Sequence, residues 1–159
     1  FASKADYSKY ITQATRVHSG HVLYVHQSDF HKLMSDISTR NVDYYYGTFL
    51  NDSTQVEMSG YFKDNQSCGG RIIDELRQSS EKTDYTANRT LKEIRLLKMN
   101  DDSKFAFPNS NKRVVFLIHS YQMGSVHKKD YKHVTQYITN VDHGAELYVI
   151  SIDPYFSYK

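Results

Sequence analysis

Five consecutive apolar residues, Val114 to Ile118, form the feature that most restricts how this chain can fold. An uninterrupted apolar strand suits the centre of a parallel sheet, where helices cover both faces. The segment AELYVISID, residues 145–153, is a second strand of this kind and is closed by Asp153-Pro154. The two segments predict an α/β domain built around buried strands.

Hydrophobic periodicity predicts the elements around these strands. Apolar residues at helical spacing predict helices over 7–15, from about residue 29 to 37, and over 126–140. Two further helices are predicted from Ile72, Ile73 and Leu76 and from Leu91, Ile94 and Leu97. Residues 21–27 read as a strand, and residues 42–50 with the following TQVEMSGYF read as a hairpin whose second arm is an edge strand. The predicted fold is a doubly wound, mostly parallel sheet with one antiparallel edge strand and helices on both faces.

The length of 159 residues fits a single domain over residues 1–159. Lys and Arg number 20 against 18 Asp and Glu, and no basic stripe stands out, so we expect no nucleic-acid partner. The longest apolar run is far below the roughly 20 residues that span a bilayer, so we expect no membrane span. The chain begins at Phe1, which favours a processed or excised product.

Three N-x-[ST] sequons favour an extracellular, secreted glycoprotein, with Asn51, Asn65 and Asn88 as candidate glycosylation sites. Cys68 is the single cysteine, so it cannot form a disulfide within the chain and is a candidate for pairing with another chain. The 14 tyrosines favour protein contacts, because a tyrosine ring buries a large area and keeps a polar hydroxyl.

From Val42 onward the order of segments resembles a von Willebrand factor type A domain. YYYGTFLNDSTQVEMSG resembles that family's second strand, turn and antiparallel third strand, and GGRIIDELRQSSEKTDYTANRTLKEIRLL its helix, threonine-bearing loop and helix. NKRVVFLIHSYQMG resembles the fourth strand and HGAELYVISID the fifth. Residues 42–153 carry the match.

The first 40 residues fit the family in two ways. VLYVHQSDF resembles the opening strand, with His26, Ser28 and Phe30 where members carry aspartate, serine and serine. Alternatively, residues 7–38 resemble the closing segment of a short helix, a last strand and a final helix. The strand order of the sheet distinguishes the two.

The resemblance implies an adhesion site at which oxygen ligands hold a divalent cation. Its loop threonine corresponds to Thr83 or Thr86, its fourth-strand aspartate to Ser120, and its first-strand aspartate to His26. Two carboxylates are therefore absent, and hydroxyl groups alone do not offset the dehydration of Mg²⁺. We expect a degenerate site without Mg²⁺ or another cofactor. Its expected lining is uncharged and consists of Ser28, Thr83, Thr86, Ser120, Tyr121 and Gln122.

These residues predict a non-enzymatic module for adhesion or structural assembly. Its expected partners are other proteins, either of the extracellular matrix or a second copy of itself. Two alternatives stay open: a small α/β hydrolase that uses Ser120 or Ser28 as nucleophile, and a zinc-binding module that uses His26 and His119.

Overall fold

A computed structural model describes residues 3–38, 45–51, 54–57, 73, 94–106, 113–121, 126–140 and 145–153. The helices are α1 (Lys4–Thr15), α2 (Phe30–Ser38) and α3 (Val126–Asn140). The strands are β1 (Val22–Val25), β2 (Tyr45–Asn51), β3 (Thr54–Glu57), β4 (Leu96–Lys98), β5 (Arg113–His119) and β6 (Ala145–Ser151). Short 3₁₀ turns at Ser19–His21 and Gln27–Asp29 flank β1.

Local chemistry sets both ends of α1. The Ser3 hydroxyl caps the helix by accepting a hydrogen bond from the backbone N–H of Asp6 at 3.1 Å. At the other end Arg16 adopts a left-handed conformation, with φ of 59°, and donates its N–H to the carbonyl of Thr12. This closing geometry satisfies a carbonyl that the end of the helix would otherwise leave open.

The sheet has six strands in the order β3-β2-β5-β6-β1-β4. In the four-strand part β5-β6-β1-β4, β6 runs parallel to both β5 and β1, and β4 is antiparallel to β1. The prediction of an α/β fold with a mixed sheet is therefore confirmed. β3 is an antiparallel edge strand, as the hairpin pattern predicted, but β2 is also antiparallel to β5, so the sheet has more antiparallel pairs than the sequence indicated.

Side chains of the central strands alternate between two apolar clusters, one on each face of the sheet. In β5, Val115 and Leu117 pack with α1 and α3, whereas Val114, Phe116 and Ile118 pack on the side of α2. Each of these five side chains is fully buried. Because both faces are covered, these strands carry apolar residues at consecutive positions, as the run in the sequence predicted.

Residues 96–98 contradict one helix prediction. Leu91, Ile94 and Leu97 fit a helical repeat, but Leu96–Lys98 is the edge strand β4, antiparallel to β1. Ile94 and Leu96 are both buried in the α2-side cluster, which is a two-residue spacing. Pairing with the edge of β1 satisfies backbone groups of that strand, and this long-range gain outweighs a weak local preference.

The position of β1 bears on the two readings of the first 40 residues. β1 lies beside β6, with Tyr24 opposite Ser151, and is separated from β2 and β3 by β6 and β5. Among the described strands, no strand lies between β2 and β5, where an opening strand of the resembled family would stand. Which of the two readings applies stays a prediction.

Candidate functional site

The carboxyl ends of β1, β5 and β6 meet at one edge of the sheet, because the three strands run in the same direction. The helix that follows β5 packs on one face, and the helix that follows β1 packs on the other. Because β6 lies between β5 and β1, the two helices leave this edge on either side of β6, toward opposite faces of the sheet. Ligands of α/β sheets usually bind outside the carboxyl ends of the strands.

A buried carboxylate, Asp153, occupies this edge two residues after the end of β6. Its side chain accepts a hydrogen bond from the Ser120 hydroxyl at 2.5 Å and from the backbone N–H of Tyr121 at 3.1 Å. The Tyr7 hydroxyl of α1 donates a third bond to Asp153. Asp153 is 2% exposed, so its charge is held by donors of the protein rather than by solvent.

Burial raises the pKa of Asp153 to about 6, and the hydrogen bond from the Tyr121 N–H opposes that rise. Removal from water disfavours the ionised carboxylate, whereas donors aimed at it favour the ionised form. At neutral pH the group is therefore mostly ionised, and it takes up a proton in mildly acidic solution.

Tyr7 links α1 to the end of β6. Its hydroxyl lies 2.8 Å from the Ser151 hydroxyl and also bonds Asp153, and the whole residue is 1% exposed. The buried hydroxyl thus has polar partners on a segment more than 140 residues away in the sequence.

The structure brings two of the predicted lining residues together. Ser120 is buried at 9% exposure, whereas the adjacent Tyr121 is 49% exposed. Among the residues whose side chains are described, Tyr121 is the one exposed large hydrophobic residue. An aromatic ring in that position offers contact area to a partner directly above the buried polar network. Thr83, Thr86 and Gln122 lie outside the described residues, as do Asn65, Asn88 and Cys68.

Ser28 belongs to a separate, more exposed network at the end of β1. His26 Nδ1 lies 2.8 Å from the Ser28 hydroxyl, which also donates to Asp29 at 3.2 Å. The Arg95 backbone N–H and guanidinium both donate to Asp29, at 2.8 and 3.3 Å. Burial opposes ionisation of Asp29, but the bonds from Arg95 outweigh it and hold the pKa of that carboxyl below its ordinary value.

At Ser28 an imidazole lies within hydrogen-bond distance of the hydroxyl, because His26 Nδ1 is 2.8 Å away. A serine nucleophile requires an imidazole to take its proton and an acid to orient that imidazole. Ser120 donates to Asp153 instead, and Asp29 accepts from Ser28 and Arg95, with no bond to His26 among the described contacts.

His119 is buried and packs between aromatic rings. Its ring centroid lies 5.9 Å from that of Tyr10 and 5.5 Å from that of Tyr131. His26 stands at the end of β1, beyond the intervening strand β6. Across the part of the chain that the structure describes, no group of three or more His, Cys, Asp or Glu side chains is placed to hold a metal ion.

Sequence reasoning missed Asp153 and Tyr7. The expectation of an edge without carboxylates is wrong for Asp153, which the sequence placed only as the turn residue that closes the last strand. A usable signal existed, because in parallel strands the residues just after β5 and just after β6 reach the same edge. Tyr7 gave no such signal, since its spacing indicated only a core position.

Asn51 ends β2 and is paired with Thr54 in the antiparallel strand β3.

None of the helices that the structure describes is both long enough and apolar enough to cross a bilayer. Comparisons with protein-family models, with curated proteins and with solved structures found no match.

Proposed function

We propose that this chain is a non-enzymatic protein-interaction module that acts outside the cell, in adhesion or as a structural part of a larger assembly. The observation that carries the proposal is the exposed Tyr121 ring beside a carboxylate, Asp153, whose oxygens already accept hydrogen bonds from the protein. A partner would meet an aromatic ring and neutral hydrogen-bonding groups at this edge. Exposed tyrosines that combine area with a polar tip are frequent anchors of protein interfaces.

The same arrangement supports a degenerate metal site. Ser120 donates to one oxygen of Asp153, and Tyr7 and the Tyr121 N–H donate to the other, so a cation would have to compete with these donors for the carboxylate. A hard dication such as Mg²⁺ retains its water unless anionic oxygens replace it. One carboxylate that is already solvated by hydroxyl and amide groups is a poor replacement.

We further propose that the fold is a doubly wound, von Willebrand factor type A-like sheet in which α1 and β1 supply the closing segment. Two observations support this proposal. β5 and β6 are parallel neighbours in the sheet, with α3 between them in the sequence, and β1 lies beyond β6. The antiparallel pairing of β2 with β5 departs from that pattern. The extracellular location rests on the three sequons, with Asn51 at a hairpin turn.

The test is a binding assay against collagen, fibronectin, laminin and the immobilised protein itself, in EDTA and in MgCl₂. We expect binding to at least one of these proteins, with equal affinity in both buffers. Tyr121→Ser should weaken that binding about tenfold or more, as loss of an interface anchor does. Gln13→Ala, an exposed change on α1, is the control and should have no effect.

Two outcomes would overturn the proposal. Binding that EDTA abolishes and Mg²⁺ restores would show a working metal site. Labelling by a serine-reactive fluorophosphonate that disappears in Ser120→Ala or Ser28→Ala would show an enzyme. Failure to bind any member of the panel, together with a monomeric state in solution, would exclude the partners named here.

A further inference from the structure

The nearly balanced charge of the chain is unevenly distributed. α1 and α3 pack side by side on one face of the sheet, where the Thr135 hydroxyl of α3 donates to the carbonyl of Thr15 at 2.9 Å. Residues 3–16 and 126–140 contain six basic and two acidic residues, a surplus of four, whereas the whole chain has a formal net charge of +2. The remaining residues therefore carry a net charge of −2. The basic residues are Lys4, Lys9, Arg16, Lys128, Lys129 and Lys132, and the acidic ones are Asp6 and Asp130.

α3 contributes two of the four surplus charges, and helical register places the positions of its three lysines on the outward side of the helix. Tyr131, Val134 and Ile138 are buried and define its inward side, while Lys132 and His133 are exposed. Positions 128 and 129 precede 132 and 133 by four residues, about one turn, and so share their side of the helix. We call the positions of Lys128, Lys129, Lys132 and His133 the basic face. Among residues 131–140, whose exposure the structure describes, the other exposed residues on this side are uncharged, namely Gln136, Thr139 and Asn140.

We propose that the basic face binds a sulfated polysaccharide, an inference that rests on the extracellular location in the proposed function. Positions 128 and 132, like positions 129 and 133, are separated by a rise of about 6 Å along the helix axis, so three lysines and one histidine occupy two adjacent rows of positions. A linear polymer with repeated sulfate groups complements such rows, and uncharged Gln136, Thr139 and Asn140 extend the surface with hydrogen-bonding groups.

Other polyanions fit the surface less well. Membrane-surface helices insert an apolar face into the headgroup region, but the apolar side of α3 is buried in the core. Single-stranded nucleic acids are bound by stacking on aromatic side chains, and the exposed residues of α3 that the structure describes include no Phe, Tyr or Trp. The sequence pI of about 8.5 is also below the range typical of nucleic-acid-binding domains.

The test measures affinity for heparin at several salt concentrations. Lys128→Gln combined with Lys132→Gln removes two charges from the basic face. The control, Lys98→Gln combined with Lys104→Gln, removes two charges near the β4 edge. Taking about fivefold per lysine for attraction to an anionic surface, we expect the first pair to weaken binding roughly 25-fold. The slope of log affinity against log salt should fall by about two, and the control should stay within about twofold of the wild type.

Several results would contradict the inference. Wild-type binding to heparin that is undetectable at about 0.15 M salt would reject it, as would equal losses in the two double variants. Binding to unsulfated hyaluronan, single-stranded DNA or phosphatidylserine vesicles as tight as that to heparin would indicate a nonspecific polyanion surface. Circular dichroism must show that α3 remains folded in the variants.

The result is separable from that of the proposed function. Tyr121→Ser should leave heparin binding intact, because Tyr121 lies at the carboxyl edge of the sheet and outside the basic face. If protein binding through Tyr121 is found but heparin binding is absent, only the polysaccharide inference fails. If heparin is bound through the basic face but no protein partner responds to Tyr121→Ser, only the edge proposal fails.

Discussion

Replacing Asp153 with asparagine should remove a pH-dependent part of the free energy of unfolding. Burial raises the pKa of Asp153 from 3.8 to about 6, so the folded state binds this proton more tightly than the unfolded state does. The associated stability is fully present below pH 3.8, where it amounts to about 3 kcal/mol, and is lost as the pH rises through 6. Between pH 7.5 and pH 5 the wild type should gain about 1.4 kcal/mol from this group.

Urea unfolding of the wild type and of Asp153→Asn at pH 7.5 and pH 5 measures this gain. Other titrating groups are common to both proteins and cancel in the difference between them, while asparagine keeps an oxygen that can accept from Ser120 or Tyr121. The difference in unfolding free energy should move by about 1.4 kcal/mol in favour of the wild type on going to pH 5. A flat difference would refute the reasoning. A shift in the opposite direction would mean that the donors around Asp153 outweigh its burial and lower its pKa.

Three further outcomes are expected. Tyr7→Phe removes a buried hydroxyl that donates to Asp153, and should cost about 1–3 kcal/mol in urea unfolding at pH 7, with a smaller loss in the Asp153→Asn background. Leu33→Ala truncates a fully buried side chain of α2 and should cost about 2–5 kcal/mol in the same assay, against less than about 0.5 kcal/mol for the exposed control Gln136→Ala. Millimolar MgCl₂ should leave the melting temperature unchanged, whereas a rise with concentration would reveal a bound ion.

The parts of the fold that the sequence predicted correctly are those in which local pattern and long-range packing agree. The apolar run of β5 predicted a strand covered on both faces, and its side chains do alternate between the two clusters. The three-and-four spacing of Tyr131, Val134 and Ile138 predicted the buried side of α3. In both cases the hydrophobic period itself carries the information, because only one conformation buries those residues together.

The sequence did not predict the structure correctly where pairing with a distant segment of the chain determines the local conformation. Leu91, Ile94 and Leu97 fit a helix on spacing alone, and only the open edge of β1 makes a strand the better choice for residues 96–98. The direction of β2 relative to β5 is likewise set by long-range pairing that a hairpin pattern does not specify. Charge shows the same limit, because the small net charge of the whole chain does not reveal the excess of basic residues on α1 and α3.

Asp153 gives this edge a carboxylate although the residues that directly follow β1 and β5, His26 and Ser120, are not acidic. Its carboxylate joins a donor from α1, Tyr7, to donors from the end of β5, Ser120 and Tyr121. A buried charge is tolerated when donors surround it, and it is then committed to the protein's own contacts rather than to a ligand. Loss of the donor from Tyr7 would weaken the attachment of α1 to the sheet as well as the hydrogen bonding at the edge. Recognition at this edge would then depend on the groups left facing outward, of which Tyr121 is the largest whose side chain the structure describes.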